Sequence, residues 1–305
     1  MYLKILVPLD GSELAECVLP HVDALAAGYE EAKITFLYVV QPLDVPMVNP
    51  TYKKRIEVDA KSAAEEYLKK LTAKTKYKGR ATVRVILGKV ADTIVDYATR
   101  HKMDLTIMAT HGRSGISRWF YGSITEKVLH EIKIPVWLVK AGACNKVSYA
   151  RGKKLNVTVP LDGSELAESV LQHLKELSKQ LPKNKLEVIL IRVCEIFAPP
   201  ISYPPPMSMS WEEYLKYETE RCKQICMDYL NRVQDSLTKY GLKTRTEVPE
   251  GNPAELLIDY TNKNHVDLII MSTHGRTGVS KWAFGSIAEK VLKGAQCPIL
   301  LIRAR

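Results

Sequence analysis

The chain has 305 residues, of which 46% are hydrophobic, and a formal net charge of +10 from 44 lysines and arginines against 34 aspartates and glutamates. This length predicts about two domains, each large enough for a core of its own. No apolar run approaches the roughly 20 residues that a membrane span needs, and the N-terminus lacks a signal-peptide layout, so we expect a soluble, cytoplasmic protein without membrane partners. The basic excess is spread over both halves without a basic tail, which argues against nucleic-acid binding.

The first half alternates between predicted strands and helices. Its helices are expected from Ser12 with a break at Pro20, over about Lys53–Lys76 after a proline-containing loop, and after Gly88. Its strands are expected at Leu3–Leu9, Lys33–Val40, Ala81–Leu87, Leu105–Thr110 and Ile134–Val139. Because several strands are apolar on both faces, we expect a parallel sheet covered by helices on both sides.

The second half repeats this order, so the chain is a tandem duplication. The segment Val7–Glu16 recurs as Val159–Glu168, and Met108–Leu129 recurs as Met271–Leu292. Helices are expected from Ser164, Ser210 and Asn252. Strands are expected at Leu155–Leu161, Leu186–Val193, Leu242–Val248, Leu268–Thr273 and Pro298–Arg303. We therefore predict one domain over residues 1–141, a linker over 142–154 and a second domain over 155–305.

The longer repeat places a glycine and a serine where a strand gives way to a helix. Backbone amides at a helix start attract anions, so phosphate is favoured at Gly122-Ser123 and at Gly285-Ser286. The preceding loop glycines, Gly112 and Gly275, allow a ligand to approach the backbone closely. The alternative is that these glycines only shape a turn, which a recent duplication would also preserve.

The motifs Val-Pro-Leu-Asp-Gly-Ser, Thr-His-Gly-Arg-x-Gly and Gly-Ser-Ile-x-Glu-Lys-Val-Leu, in this order in both halves, resemble the universal stress protein family. The resemblance covers nearly all of the chain outside the linker and the proline-rich loops. It implies an α/β fold of two Rossmann-like, HUP-type domains, each with a five-stranded parallel sheet and helices on both faces. The ATP-binding branch of the family is marked by Gly-x2-Gly-x9-Gly-[Ser/Thr], whose first glycine is replaced here by Ala109 and Ser272.

The resemblance implies one adenine-nucleotide site per domain, for ATP, AMP or ADP with Mg²⁺. Asp10 and Asp162 would lie by the ribose or a phosphate-bound Mg²⁺, although capping of the following helix would explain them equally well. The implied binding residues are, in the first half, Pro8, Asp10, Val39, Met108, Ala109, Gly112, Arg113, Gly122, Ser123 and Ile124, and, in the second half, Pro160, Asp162, Val193, Met271, Ser272, Gly275, Arg276, Gly285, Ser286 and Ile287.

Several of these positions have two interpretations. Val39 and Val193 match the position whose backbone reads the adenine edge, and Met108 and Met271 match its apolar floor, but core packing accounts for these four residues as well. The loop arginines, Arg113 and Arg276, are able to reach phosphate oxygens.

These observations favour a stress-response regulatory protein that binds ATP or AMP. Two alternatives stay open: a non-catalytic interaction scaffold with empty or non-nucleotide pockets, and a slow ATP hydrolase. Neither half offers an obvious base beside a nucleophile, and His111 and His274 lack partners at catalytic or metal spacing, so no catalytic residue is assigned and at most weak ATPase activity is expected.

Assembly and cysteine pairing give two further expectations. The apolar strands Ile134–Val139 and Cys297–Ile302 end the two halves, and universal stress proteins dimerise through this strand. We therefore expect an intramolecular pseudo-dimer, with a further homodimer left open. The six cysteines do not repeat between the halves, so we expect no disulfide and no metal at Cys222 and Cys226.

Overall fold

The computed structural model describes residues 1–44, 49–75, 77–110, 122–140, 149, 153–181, 185–195, 210–273 and 284–303. Its strands are β1 (Lys4–Leu9), β2 (Lys33–Val40), β3 (Ala81–Leu87), β4 (Leu105–Ala109), β5 (Val136–Val139), β6 (Lys154–Pro160), β7 (Lys185–Ile191), β8 (Lys243–Glu247), β9 (Leu268–Ser272) and β10 (Ile299–Ile302). Its helices are α1 (Glu13–Glu16), α2 (Leu19–Gly28), α3 (Pro50–Ala73), α4 (Val90–Arg100), α5 (Ser123–Glu131), α6 (Glu165–Glu168), α7 (Val170–Gln180), α8 (Trp211–Lys239), α9 (Pro253–Lys263) and α10 (Ser286–Gly294).

All ten strands belong to one sheet, in the order β3-β2-β1-β4-β5-β10-β9-β6-β7-β8. Each half contributes five parallel strands, and the two halves join where β5 and β10 pair antiparallel, with Trp137 opposite Leu300. The two α/β domains therefore share one mixed sheet. This confirms the predicted fold class and the predicted pairing of the halves through their last strands.

The hydrophobic core lies in two layers, one on each face of this sheet, and both layers run across the two halves. Trp137 and Val139 of β5 pack in one layer, whereas Leu138 packs in the other, because side chains alternate along a strand. The same alternation holds in β10, where Leu300 and Leu301 lie in opposite layers. The junction of the halves is thus continuous with the core.

Reciprocal contacts reinforce the junction at the ends of two helices. Lys140 Nζ donates to the carbonyls of Lys293 and Ala295, at 2.9 and 3.1 Å, beyond the end of α10. In the other direction Arg303 Nη1 donates to the carbonyls of His130 and Ile132 at the end of α5, both at 3.0 Å. Each half therefore supplies the cation that satisfies carbonyls at a helix C-terminus of the other half.

The observed bounds of α3 differ from the predicted ones, and local capping explains its earlier start. Pro50 was expected in an irregular loop, but it lies in the first turn of α3, where a missing amide proton costs nothing. Asn49 caps this turn, with its Oδ1 accepting from Thr51 N at 2.9 Å. The helix consequently starts three residues before the predicted Lys53 and ends at Ala73 instead of Lys76.

The expected break at Pro20 is present between α1 and α2, with Pro20 in the first turn of α2. The second half breaks at the same place, between α6 and α7, although Gln172 occupies the position that corresponds to Pro20. The break therefore belongs to the repeated fold and does not depend on proline.

The N-terminus and the linker fasten the halves together on one side. Gln180 Nε2 donates to Tyr2 O, and Tyr2 N donates to Gln180 Oε1, both at 3.0 Å. His21 Nδ1 lies 2.6 Å from the hydroxyl of Tyr149, a residue of the predicted linker. No helix among the described residues is long and apolar enough to cross a membrane.

Candidate functional site

A cavity of about 480 Å³ opens in the first half at the carboxyl ends of β1, β2 and β4. This is where strand order reverses between β1 and β4, the usual ligand position in open parallel sheets. Eight of the residues named from the sequence line it: Pro8, Asp10, Val39, Met108, Ala109, Gly122, Ser123 and Ile124. Residues from Pro8 to Ile124 are thus brought to one place by the fold.

The second half has a cavity of about 260 Å³ at the corresponding place. Eight predicted residues line this cavity as well: Pro160, Asp162, Val193, Met271, Ser272, Gly285, Ser286 and Ile287. The other four predicted residues lie outside the described residues, and so do the loop histidines; they are Gly112, Arg113, Gly275, Arg276, His111 and His274.

Asp10 organises the turn at one wall of the first cavity. Its Oδ1 accepts hydrogen bonds from Ser12 N at 3.0 Å and from Ser12 Oγ at 2.6 Å. Ser12 Oγ in turn accepts from Ala15 N at 3.2 Å and is the N-cap of α1. The aspartate therefore does not cap the helix itself, as one interpretation held, but holds the serine that does.

The second cavity repeats this arrangement at the start of α6. Asp162 Oδ1 accepts from Ser164 N at 2.9 Å and from Ser164 Oγ at 2.7 Å, and Ser164 Oγ accepts from Ala167 N at 3.1 Å. Each aspartate thus presents its carboxylate at the cavity wall in a position fixed by the turn.

The helices α5 and α10 begin at these cavities, since their first residues are among the lining residues. Gly122 and Gly285 occupy the N-cap positions, and neither helix receives a side-chain cap hydrogen bond. Gly122 has a φ of −62°, so the conformational freedom of glycine is not needed there. A Cβ added at Gly122 would meet only Thr110 O at 3.7 Å, an ordinary contact. The feature that this glycine preserves is open space in front of the helix amides.

A half-buried tyrosine that packs against Tyr38, a residue of the first cavity, hydrogen-bonds to a glutamate. Tyr67 of α3 donates its hydroxyl to Glu16 Oε1 at 2.8 Å; burial, followed by this carboxylate, raises the pKa of Tyr67. Burial followed by Glu168 does the same to Tyr229 of α8 in the second half. Both tyrosines therefore remain neutral.

The side chain that packs against the tyrosine ring, Tyr67 or Tyr229, differs between the halves. In the first half Tyr38 meets Tyr67 edge to face, with ring centroids 6.2 Å apart. In the second half Arg192 stands at the equivalent place and lies over the Tyr229 ring at 4.7 Å. Gly163, with a φ of +89°, leaves room for this guanidinium, because a Cβ there would lie 2.9 Å from Arg192 Nη1.

A further difference is a second cavity of about 200 Å³ beside the site of the second half. Val193 and Glu195 line both cavities of this half. In the first half the cavity of about 480 Å³ itself reaches Val40 and Ala60. The space beyond β2 thus belongs to one cavity in the first half, whereas the space beyond β7 is divided between two cavities in the second half.

The expectation that no cysteines are bridged was wrong. Cys194 and Cys222 form a disulfide, with their Cα atoms 5.9 Å apart. The sequence did not indicate it because the partners are 28 residues apart and join the end of β7 to α8, a proximity that only the fold creates. Cys17, Cys226 and Cys297 are outside this bond. In the described part of the chain no three acidic, histidine or cysteine side chains are grouped to hold a metal ion.

Sequence reasoning also missed several residues at the two cavities. Thr125 Oγ1 donates to Thr110 O at 3.2 Å, which ties the first turn of α5 to the end of β4. Gln41 and Ala60 line the first cavity, and Pro253 of α9 lines the second. Gln41 follows β2 and Pro253 begins α9, so the ends of elements were the available signal for these two, whereas Ala60 lies within α3 and had no such signal. No repeated motif marked any of the three.

The fold and the two cavities define a tandem Rossmann-like α/β protein with one candidate ligand site per half. The family model described as "Universal stress protein family" matches residues 1–140 and 155–303. The chain therefore belongs to the universal stress protein family, with two family domains in tandem.

Relatives support both the family and the tandem arrangement. A universal stress protein of Mycolicibacterium smegmatis is 23% identical over 99% of this chain and 97% of its own length. One from Methanocaldococcus jannaschii is 31% identical over 48% of this chain and 81% of its own length. The crystal structure of a universal stress protein from Archaeoglobus fulgidus superimposes with a TM-score of 0.69 at 19% identity, covering 99% of both chains.

Proposed function

We propose that this protein is a regulatory module that binds adenine nucleotide, ATP, ADP or AMP, in both domains. The observation that carries the proposal is the cavity in each half, which is lined both by an aspartate held in a turn and by a helix start without a side-chain cap. Such a helix start supplies amide donors and a favourable dipole for phosphate. The apolar part of the lining suits a nucleobase.

In the proposed complex each group of the nucleotide lies against particular residues of the cavity. The phosphates rest on the amides at Ser123 and Ser286, and the ribose lies toward Asp10 and Asp162. Mg²⁺ bound to nucleotide phosphates takes one or two protein carboxylates and keeps several waters, so a single aspartate per cavity fits such an ion. The base lies on the apolar side near Val39.

The alternatives are an interaction scaffold and a slow ATP hydrolase. Among the described lining residues, Asp10 in the first cavity already accepts two hydrogen bonds from Ser12, an arrangement better suited to holding a group than to removing a proton. A universal stress protein family protein from Arabidopsis thaliana has been solved with AMP bound, but its TM-score of 0.36 is too low to support the proposal. Binding without rapid turnover is therefore the function we favour.

The test is calorimetric titration of ATP with Mg²⁺ into the wild type and into Gly122→Val/Gly285→Val. The wild type should bind two nucleotides, and the double variant none, because the valines fill the space in front of the helix amides. Each single variant should bind one. Gly79→Val is the matched control, since a Cβ at Gly79 meets nothing within 4 Å and the residue is outside both cavities.

A second double variant tests the contribution of the aspartates separately from that of the helix starts. Asp10→Ala/Asp162→Ala should weaken binding without abolishing it, because the helix amides remain. The proposal fails if the wild type binds no ATP, ADP or AMP at millimolar concentration and releases none on heat denaturation. The hydrolase alternative takes over if saturating ATP and Mg²⁺ give steady conversion to ADP or AMP.

A further inference from the structure

The disulfide of the second half lies directly beside the proposed nucleotide site. Cys194 follows Val193, which lines that site, and its backbone is held by Pro249 O at 2.9 Å and by Gly251 N at 3.1 Å. Cys222 lies on α8. The bond therefore fastens α8 to a strand end whose own position is already fixed by backbone hydrogen bonds.

Among the described residues, the N-terminal part of α8 has few other contacts with the domain. The first fully buried residue of the helix is Cys226, so residues 211–225 place no fully buried side chain in the core. Besides the disulfide, the described contacts from this part to the domain include an ion pair between Lys223 and Glu250, both partly exposed. An exposed ion pair contributes little, at most about 1 kcal/mol. The covalent bond is therefore the principal tether of this segment.

The disulfide is open to attack from one side. Cys194 is completely buried, whereas Cys222 is half-buried and lines the cavity of about 200 Å³ next to the site. Arg192 and Arg221 line the same cavity together with Glu195 and Glu218, so positive and negative charges balance around Cys222 and access decides which sulfur reacts. A small thiol is thus able to reach Cys222 Sγ but not Cys194 Sγ.

The first half provides an internal comparison without a cross-link. Val40 and Ala60 occupy the positions of Cys194 and Cys222, and both line one undivided cavity. Any effect of thiols that acts through this bond must therefore be confined to the second half.

We propose that the Cys194–Cys222 bond is a thiol–disulfide exchange site, and that its redox state sets the ligand affinity of the second domain. The effect on ligand rests on the proposed nucleotide binding; the exchange itself does not. An incoming thiolate bonds to Cys222 Sγ, the Cys194–Cys222 bond breaks, and Cys194 leaves as a thiolate that takes up the proton lost by the thiol. A second thiol then attacks the mixed disulfide, releases the small molecule as its own disulfide and leaves Cys222 as a thiol.

Reduction should weaken binding in the second domain. Without the bond, the part of α8 before Cys226 separates more often from the end of β7, which opens the wall at Val193 and Glu195 to water. The oxidised form keeps this wall in place and so binds the ligand in a site that is already arranged. We expect at least about a fivefold loss of affinity, the lower end of typical coupling between sites.

The exchange is tested first by counting thiols and by hydrogen exchange. Protein prepared without reductant and then denatured should show four of its six cysteines as thiols, and all six after treatment with dithiothreitol. Dithiothreitol should also raise amide exchange in residues 211–225, but not in residues 50–63 of α3. Six thiols without reductant, or unchanged exchange in α8, would overturn the proposal.

The effect on ligand is measured by ATP titration of Gly122→Val, which leaves only the second site, with and without dithiothreitol. Cys194→Val/Cys222→Ala in this background reproduces the pair of the first half; it should bind like the reduced form and ignore dithiothreitol. Cys297→Ser is the matched control and should keep the response. Absence of nucleotide binding in both redox states would remove the proposed function, while the thiol count and hydrogen exchange would still decide the exchange site. Equal affinity in both states would refute the control of the second domain.

Discussion

His21 is a buried ionisable residue at the junction of the two halves. Its side chain is 1% exposed, its Nδ1 lies 2.6 Å from Tyr149 Oη, and its ring packs against Trp137 with centroids 5.7 Å apart. Burial lowers the pKa of His21 to about 4, from an ordinary value of 6.5. The folded protein therefore keeps this imidazole neutral at pH values where an unfolded chain would protonate it.

Stability is predicted to fall as pH falls from about 6.5 toward 4. In this window the unfolded chain binds a proton at His21 that the folded chain does not, so the free energy of unfolding decreases by about 2 kcal/mol between pH 7 and 5. Urea unfolding of the wild type and of His21→Phe measures the contribution. The variant should lose less stability on acidification than the wild type.

His21→Phe should still lose some stability on acidification, because burial also lowers the pKa of His173, which lies next to Tyr2. His101→Gln, at an exposed histidine, serves as the control and should follow the wild type. Parallel loss of stability in the wild type and in His21→Phe would contradict the assignment.

Single residues show what could be inferred from sequence and what could not. The position of Asp10 was predictable because it follows an apolar run, but its partner was not. The choice between a cap and a ligand group could not be made until Ser12 was seen to cap the helix with Asp10 behind it. Likewise, Gly122 suggested either an unusual backbone or close approach of a ligand, and its φ of −62° removes the first explanation.

At the scale of elements, strand type was more predictable than helix ends. The strands Lys33–Val40 and Ala81–Leu87 have the predicted bounds, because a mostly apolar run marks the first and alternation of apolar and polar residues marks the second, a partly exposed edge strand. The start of α3 was misplaced because proline was taken as a sign of irregular structure, although it is favoured in a first helical turn. The link between α8 and β7 was invisible because it depends on packing between distant elements.

The helix ends at the junction give a prediction at this scale. Lys140→Ala and Arg303→Ala should each reduce the free energy of unfolding by about 1 kcal/mol, because each leaves two carbonyls at a helix C-terminus without their cation. Chemical denaturation measures both. Lys263→Ala, which removes a surface ion pair with Asp259, should cost no more than about 0.5 kcal/mol. Equal losses in all three variants would show that the reciprocal contacts have no special role.

At the scale of the whole molecule, the central strands account for the arrangement of the domains. Because β5 and β10 pair with each other inside the sheet, the edges are β3 and β8. The strand β8, Lys-Thr-Arg-Thr-Glu, carries charged side chains, a common protection of sheet edges. A further homodimer of the full chain would have to use another surface.

The shared junction predicts that the first domain alone will associate with itself. A chain of residues 1–150 exposes β5, an apolar strand that is buried in the full protein, and should form a homodimer through it. Sedimentation over a range of concentrations measures the association. Leu138→Lys in this shortened chain should prevent dimerisation, since that side chain packs in the core at the junction. A well-folded monomer of the unsubstituted 1–150 chain at high concentration would contradict the prediction.

The joining of both copies in one polypeptide has a consequence for how the two sites can diverge. In a homodimer every substitution is made twice, so a change that harms one pocket harms both. Here a substitution is made once. The second copy has Arg192, Cys194 and Cys222 where the first copy has Tyr38, Val40 and Ala60. Because both copies lie in one polypeptide, the two pockets need not be identical, and natural selection acts on each pocket separately.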